Sequence, residues 1–134
     1  MARRKSFKAP RHTNREMNDE TYALRRKVMG FVYEAREVLG EAFKRVDIRI
    51  TDCDREGRLG EAKMGDCIIW IPAATIEKTK RDLDIRHVVF HEIAHAIFAA
   101  PHNEGCMLMA RVVRHTTRKM QNDALKTVAI RASV

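Results

Sequence analysis

The sequence lacks any long hydrophobic run: no stretch of about 18 apolar residues is present, which excludes a membrane-spanning helix. Its N-terminus carries positive charge with no apolar stretch behind it, so we expect no secretory signal peptide. Cysteine is scarce, and the odd number of three argues against a disulfide framework and for a reducing compartment. These absences predict a cytoplasmic protein with no membrane partner.

The composition is that of one folded domain with an excess of basic residues. The chain has 134 residues and a mass of 15.5 kDa, with 45% hydrophobic and 33% charged residues. Lysine and arginine number 26 against 18 acidic residues, for a net charge of +8. This balance favours an anionic partner, such as nucleic acid or an acidic protein.

Much of the positive charge lies at the N-terminus. Residues 1–15 contain no acidic residue and six basic ones: Arg3, Arg4, Lys5, Lys8, Arg11 and Arg15. This stretch has almost no large apolar side chains, so it can bury too little surface to order itself. We therefore expect a basic flexible arm over residues 1–17, able to contact nucleic acid or a larger assembly, and a single domain over residues 18–134.

The first half of the domain predicts a helix followed by two strands. Asn18 is suited to cap a helix, with acidic residues in the first turn, and Gly40 is suited to end it. Residues 45–51 alternate between apolar and polar, which predicts a half-buried strand. A second strand is expected over residues 61–71, ended by Pro72.

The second half predicts two helices. After a connection over residues 73–83, Asp84 is a candidate N-cap for a helix over 85–100, and Pro101 closes it. A last helix is expected to begin near Met107. Its basic face would consist of Arg111, Arg114, Arg118 and Lys119. The predicted fold class is α+β, with an N-terminal helix, a small sheet, a motif-bearing helix and a C-terminal helix.

The motif His91-Glu92-Ile93-Ala94-His95 is the part of the sequence that points to chemistry. Two histidines four residues apart lie on the same side of a helix, so both imidazoles can bind one zinc ion. Glu92 is rotated by about 100° from His91, near enough to reach a zinc-bound water without ligating the metal. Zinc with three protein ligands lowers the pKa of its water toward about 7, so this carboxylate could act as a general base.

A third ligand is needed to complete such a site, and three residues could supply it. His102 follows the break at Pro101, where the chain can turn back toward His95. Glu104 lies close by in sequence, and Asp123 has the longer spacing found when a carboxylate completes a zinc site. We favour His102, because imidazole suits zinc and the break is placed for it.

Other histidines and the cysteines are minor alternatives. His87 lies one turn before His91, and we interpret it as a supporting or surface residue. A structural zinc site could also form from one histidine and the three cysteines, Cys53, Cys67 and Cys106. No two of these cysteines have the CxxC spacing typical of such sites.

The segment from His91 to Met109 resembles the zinc signature of the metzincin metallopeptidases, HExxHxxGxxH followed by a turn that carries a methionine. Leu108 and Met109 are similar to the matrixin ending of that signature, with Met109 at the Met-turn position. The sequence departs from the signature at Phe98, where the family has glycine, and at His102, which arrives one residue late. The looser spacing is also similar to that of SprT-like zincins, whose third histidine lies further downstream.

The resemblance implies a minimal zincin-like fold and a zinc metalloendopeptidase acting on peptide or protein substrates. It implies that zinc is bound by His91, His95 and His102. It further implies that Glu92 is the general base and that the strand segment 67–71 is the edge that pairs with an extended peptide. A second electrophile for the oxyanion is not assigned by the resemblance, and His115 is one candidate.

Two other functions stay open at this point. A non-catalytic domain of the same fold could be a structural or binding component of a larger assembly, such as a phage particle, located within the virion. A SprT-like protease could associate with DNA, with the arm and the last helix contacting phosphates. The intact Glu92 favours an enzyme over a scaffold, because only catalysis requires that carboxylate.

Overall fold

The computed structural model describes residues 12–54 and 56–133. Their elements are β1 (His12–Asn14), α1 (Asp19–Leu39), a 3-10 turn (Gly40–Ala42), β2 (Asp47–Asp54), β3 (Glu61–Lys63), β4 (Ile68–Pro72), α2 (Ala73–Lys78), α3 (Asp82–Phe98) and α4 (Arg118–Ala132). Four helices and one four-stranded sheet in these ranges confirm the predicted α+β class. None of these helices is both long enough and apolar enough to cross a membrane.

Helix α1 begins and ends where the sequence predicts. The Asn18 side chain accepts a hydrogen bond from the Thr21 backbone N–H at 2.9 Å, which satisfies one of the free donors of the first turn. Gly40 follows the last residue with a φ of 56°, a conformation that favours a residue without a Cβ. The buried face of α1 consists of Thr21, Val28, Phe31, Val32, Ala35 and Leu39.

The sheet has the strand order β1-β2-β4-β3. The two central strands, β2 and β4, are parallel, whereas β1 and β3 are each antiparallel to their neighbour. Alternate residues of the central strands are buried and share one core with α1 and α3, which places both helices against the sheet. These buried strand residues are Ile48, Ile50, Ile69 and Ile71.

Residues 61–71 form a hairpin and not the single strand that was predicted. Strands β3 and β4 pair antiparallel around a four-residue turn. Gly65 and Cys67 both adopt the left-handed region in this turn, at φ 75° and 59°, and so reverse a chain whose apolar pattern looks continuous. Because β4 lies between β2 and β3, the prediction that 67–71 is a sheet edge is wrong. Among the described strands, the edges are β1 and β3.

Helix α3 lies at the centre of the molecule. It begins at Asp82, two residues before the predicted cap, and ends at Phe98, two residues before the predicted end. Ala99 adopts the left-handed conformation at φ 52° and donates its N–H to the His95 carbonyl at 3.0 Å, so the helix closes before the proline. Every residue from 85 to 97 is buried, because α1, α4 and the sheet surround this helix.

The other two helices also differ from the predictions. Helix α2 occupies part of the segment predicted to be a connection. Helix α4 begins at Arg118 and not near Met107, because the Thr117 hydroxyl caps it by accepting a hydrogen bond from the Met120 N–H at 3.1 Å. The segment 99–117 between α3 and α4 is consequently a long irregular loop.

The basic face predicted for the last helix is divided between this loop and α4, and its charges are paired. Arg111 and Arg114 lie in the loop, within ion-pair distance of Glu104. The two basic residues that begin α4 contact Glu34 and Asp123. These four cations are therefore less available to phosphates than the sequence suggests.

The last residues of the predicted arm belong to the fold. Strand β1 pairs with β2, and the Arg15 N–H donates to the Ile50 carbonyl at 2.8 Å. The Arg15 guanidinium also lies 3.3 Å from Glu20 and 3.8 Å from both Asp52 and Glu77. The other basic residues of that stretch, Arg3, Arg4, Lys5, Lys8 and Arg11, lie outside the described residues.

Candidate metal centre

Three histidines converge at the C-terminal end of α3. His91 and His95 lie one helical turn apart on α3, and His102 lies in the loop that follows. His95 Nε2 is 3.1 Å from His91 Nε2 and 3.3 Å from His102 Nε2. Within the described part of the chain, no other three His, Cys, Asp or Glu side chains come together in this way. Of the three candidates for the third ligand, the fold brings His102 to the pair.

The hydrogen bonds of His91 and His95 determine which ring nitrogen carries the proton. Nδ1 of His91 is 2.7 Å from the Leu108 carbonyl, and Nδ1 of His95 is 2.5 Å from the Ala100 carbonyl. A carbonyl oxygen only accepts, so each Nδ1 must donate, and each neutral ring then presents an unprotonated Nε2. Two lone pairs that face each other at 3.1 Å repel unless a cation lies between them.

The three ligand atoms lie within 4.8 Å of one another, and two of their separations are those of a zinc site. Two nitrogens each about 2.05 Å from a tetrahedral zinc ion lie about 3.3 Å apart, close to the two Nε2 separations around His95. Histidine ligands of zinc usually donate their other ring N–H to a carbonyl or carboxylate, as His91 and His95 do here. These side chains and their backbone partners could therefore hold a metal ion.

The loop after α3 supplies both supporting carbonyls. The left-handed turn at Ala99 reverses the chain, so that the Ala100 carbonyl returns to the imidazole of His95. Further along, Leu108 and Met109 are 1% and 2% exposed, and burial of this pair brings the Leu108 carbonyl against His91. The prediction that Met109 is equivalent to a Met-turn residue stays a prediction.

Burial favours the neutral, ligating form of the two helix histidines. Desolvation lowers the pKa of His91 to about 4, with the Leu108 carbonyl opposing the shift and the neighbouring imidazoles adding to it. Desolvation also lowers the pKa of His95, against a hydrogen bond to the Ala100 carbonyl. At neutral pH, protons therefore compete weakly with a metal for these nitrogens.

Glu92 is the acidic group of the same site. Its side chain is buried, with only 5% of the residue exposed, and Oε1 has no hydrogen-bond partner among the described residues. Burial, and then the negative charge of Glu61, raise the pKa of Glu92 to about 8, against a smaller effect of Arg58. A buried carboxyl group with an unpartnered oxygen is costly for stability and typical of a functional position.

The three histidines and Glu92 line one open cleft of about 710 Å³. One wall is the loop and edge strand over residues 57–62, together with Met64. The opposite wall is Pro101 and the loop segment 110–113. Solvent and an extended ligand can therefore reach the histidines from outside, although α3 itself is buried.

Gly60 allows the edge hairpin to lie directly against α3. A Cβ at this position would meet Ile71, Val88 and Glu92 at 3.1, 3.2 and 3.3 Å, so any larger residue would have to displace one of these side chains by a few tenths of an ångström. Sequence reasoning missed both Gly60 and its neighbour Arg58, because a loop glycine and a loop arginine carry no periodic signal. The placement of Gly60 just before a strand is the one local sign of a close approach.

The other sequence-based candidates lie elsewhere. Glu104 accepts a hydrogen bond from the Arg111 backbone N–H at 3.0 Å, and Asp123 pairs with Lys119 on α4. His115 is exposed and lies 3.2 Å from Asp84, outside the cleft, so it is not placed as the second electrophile.

His87 and two of the cysteines are also outside the cluster. His87 is fully buried, with Nδ1 2.8 Å from the Thr116 hydroxyl, so the surface interpretation is wrong and the supporting role stays a prediction. Cys67 and Cys106 are free thiols and join no group of three potential metal ligands among the described side chains. The Cys53 side chain lies outside the described residues.

Comparison with protein-family models, with curated proteins and with solved structures finds no match to this chain.

Proposed function

We propose that this protein is a zinc-dependent peptidase in which His91, His95 and His102 hold the metal and Glu92 is the general base. One observation carries the proposal: three imidazole Nε2 atoms converge beside a buried carboxyl group with an unpartnered oxygen, all within one open cleft. Zinc would supply a Lewis acid that polarises the scissile carbonyl and lowers the pKa of a water toward about 7.

The backbone carbonyls of Ala100 and Leu108 keep the two helix imidazoles in the ligating tautomer and orientation. Each accepts the Nδ1–H of one ring, at 2.5 Å for His95 and 2.7 Å for His91. Such hydrogen bonds raise the basicity of the opposite nitrogen and prevent the ring from rotating. The site is thereby preorganised by main-chain atoms, which a side-chain substitution at Ala100 or Leu108 would displace only indirectly.

Glu92 would move the proton of the reaction. It takes a proton from the water whose oxygen attacks the carbonyl carbon, and it delivers that proton to the amine nitrogen as the C–N bond breaks. The water is consumed, with its oxygen in the new carboxyl group and one proton on the new amine. Oε1 of Glu92 has no hydrogen-bond partner among the described residues. Burial raises the pKa of Glu92 to about 8, and the positive charge of a bound zinc ion would lower it toward the carboxylate form that a general base requires.

An extended peptide would pair with the free edge of β3. Among the described strands, β3 pairs only with β4, and its outer edge borders the cleft beside α3. Unpaired backbone N–H and C=O groups at a sheet edge readily accept an added strand. The expectation of strand addition is therefore kept in the proposal, with β3 in the place first given to 67–71.

The decisive experiment compares the unmodified chain with Glu92→Gln on an unfolded protein substrate. General-base catalysis contributes on the order of 10²–10⁴-fold, so cleavage by the variant should fall by that range. Zinc content, measured by atomic absorption, should stay at one equivalent, because Glu92 is not a ligand. Glu104→Gln removes a carboxylate outside the cluster and should cleave like the unmodified protein.

Metal analysis tests the ligand set separately. His91→Ala/His95→Ala should lose stoichiometric zinc, and His102→Ala should bind it much more weakly, whereas Asp123→Ala should not change binding. Zinc bound in full without any cleavage of protein substrates would reject the peptidase and favour a non-catalytic metal-stabilised domain. Full zinc retention by the double histidine variant would reject the site itself.

A further inference from the structure

The outward face of α1 carries a second stripe, which is exposed except at Met29, where the side chain packs partly against the core. Positions spaced by four, three, four and three residues lie on one face of a helix. Here they are occupied by Tyr22, Arg26, Met29, Tyr33 and Arg36. Tyr22 and Tyr33 are 49% and 57% exposed, and the exposed Glu37, four residues after Tyr33, borders the stripe. The stripe thus presents two tyrosine side chains and the exposed Arg26 and Arg36 to solvent.

This stripe borders a groove of about 1010 Å³ between α1 and the adjoining end of the sheet. Met29, Tyr33 and Arg36 line it from the helix, while Phe43 and Arg45 line it from the segment that follows. The groove shares no lining residue with the cleft of the histidines, so it is a separate surface of the protein.

The charges along the groove leave cations available. Neither Arg36 nor Arg45 makes an ion pair with a described residue, so both guanidinium groups can bind an anion. Two carboxylates of the groove are already paired with cations that do not line it: Asp47 with Arg49 at 2.9 Å, and Asp66 with Lys63 at 3.1 Å.

Arg25 adds a third guanidinium at this surface. Its Nε donates to the Ile48 carbonyl at 3.2 Å, which orients the side chain along the start of β2. Glu41 is the remaining acidic residue of the lining, so the positive charge of three arginines exceeds the local negative charge that is not already paired.

Aromatic faces and guanidinium groups in this arrangement match the chemistry of unpaired nucleic acid. Bases stack on tyrosine rings irrespective of sequence, and arginines bind the phosphates between them. Tyr22 and Tyr33 are eleven residues apart, which is about 16 Å along the helix axis and leaves room for several stacked or bridging nucleotides. Base pairs in a duplex would hide the faces that the tyrosines offer, so a single strand fits better than a double helix.

We propose that the outward face of α1 and its groove bind single-stranded nucleic acid, with Tyr22 and Tyr33 stacking on bases and Arg36 and Arg45 contacting phosphates. Tyr, Arg and Met are also enriched at protein interfaces. The unpaired guanidinium groups of Arg36 and Arg45 and the net charge of +8 favour a polyanion over a protein surface. This function is independent of the metal centre.

The test is fluorescence anisotropy with a labelled oligothymidylate of about 15 nucleotides at several salt concentrations. Tyr33→Ala should weaken binding about tenfold, because it removes a stacking platform but leaves every cation in place. Arg36→Gln/Arg45→Gln should weaken binding and reduce the slope of log K against log salt by about 1.4, or about 0.7 for each lost contact.

Lys126→Gln/Arg131→Gln is the matched control, because it removes the same charge from the exposed side of α4. This variant should bind within about twofold of the unmodified protein, and all variants should melt at the same temperature. Equal weakening by the control would mean that general charge drives binding and would overturn the proposal.

Three further results would also overturn it: no binding of the probe at low salt, full binding by Tyr33→Ala, or self-association of the chain that Tyr33→Ala abolishes. The last result would identify the stripe as a protein interface. Tighter binding of a duplex of the same length would likewise contradict the role given to the tyrosines.

Discussion

Two polar clusters on α3 differ in whether their polar groups have hydrogen-bond partners. At Arg86, each of the three guanidinium nitrogens has an acceptor: Nε donates to Glu34 at 2.6 Å, Nη1 to Gln121 at 2.7 Å and Nη2 to Asn122 at 2.7 Å. The group also lies over the ring of Phe90. One to two turns later, the histidine cluster leaves lone pairs facing each other and a carboxyl oxygen without a partner. A buried cluster whose polar groups are all paired stabilises the fold, whereas one with unpaired groups lowers stability unless a ligand supplies the missing partner.

This comparison shows why burial alone does not identify function. Arg86 and Glu92 are 1% and 5% exposed, so both are buried ionisable side chains and their burial does not tell them apart. Arg86 joins α3 to α1 through Glu34 and to α4 through Gln121 and Asn122, and thus connects three helices. Glu92 joins nothing through Oε1 and faces the cleft, which is the arrangement expected of a reacting group.

The largest effect should come from adding zinc to the metal-free protein. A cation between the imidazole nitrogens relieves the repulsion of the unsatisfied cluster, and free zinc at about 1,000 times its Kd would stabilise the fold by about 4 kcal/mol. Differential scanning calorimetry should show a rise in Tm of about 10 °C or more. His91→Ala/His95→Ala should not respond, and an equal rise in that variant would mean that zinc stabilises the fold from another position.

Loss of Arg86 from the fully paired cluster should destabilise the fold. Arg86→Met removes the donor that Gln121 and Asn122 both use and should lower the free energy of unfolding by about 3 kcal/mol. The matched change at the other cluster, Glu92→Leu, should raise it by about 1 kcal/mol in the metal-free protein, since it removes an unpartnered buried group. Urea denaturation measures the free energy of unfolding of both variants. Changes of the same sign in the two variants would contradict the distinction between the clusters.

A smaller effect should appear in the pH dependence of the metal-free protein. The pKa of Glu92 is raised to about 8, so between its unfolded value near 4.5 and pH 8 the folded state binds more protons, and stability falls as pH rises. His91 acts with the opposite sign, because its lowered pKa of about 4 makes stability rise with pH up to about 6.5.

Comparison with Glu92→Gln isolates Glu92 from the histidines. The pKa values of His87, His91 and His95 are all lowered, so both proteins should show the same remaining rise in stability above pH 6.5. Between pH 6.5 and 8, the unfolding free energy of the metal-free protein, measured by urea denaturation, should fall by about 2 kcal/mol relative to that of Glu92→Gln. Parallel profiles of the two proteins would assign the titration to another group.

The smallest effect is expected at Gly60, where the edge hairpin approaches the cluster. Gly60→Ala forces Ile71, Val88 or Glu92 to move by a few tenths of an ångström and should cost about 1 kcal/mol of stability. Gly30 lies exposed in the interior of α1 with nothing within 4 Å of an added Cβ, so Gly30→Ala should stabilise by about 1 kcal/mol. The Tm of the two variants should therefore shift in opposite directions. A rise in Tm for Gly60→Ala as well would mean that an added Cβ is not crowded at this position.

Features that depend on neighbours within a few residues could be predicted from the sequence. The N-cap at Asn18, the stop at Gly40 and the placement of His91 and His95 on one helix face all follow from the geometry of one or two helical turns. The start of α4 was misplaced, although its signal is also local, because Thr117 is one of several residues there that could cap a helix.

The cap of α1 and the spacing of the two motif histidines are thus properties of the sequence itself, since each is decided by contacts across a few residues. The α+β class could also be predicted, because the periodicity of each segment indicates which elements are helices and which are strands. Only the tertiary structure decided that β4 is an interior strand and that Gly60 lies close to Glu92. It also decided that the Leu108 carbonyl accepts a hydrogen bond from His91. Those features join residues far apart in the chain. They depend on how apolar surfaces pack and on which backbone groups are left without a partner after packing. The periodicity of a single segment predicts neither the packing nor the unpaired groups.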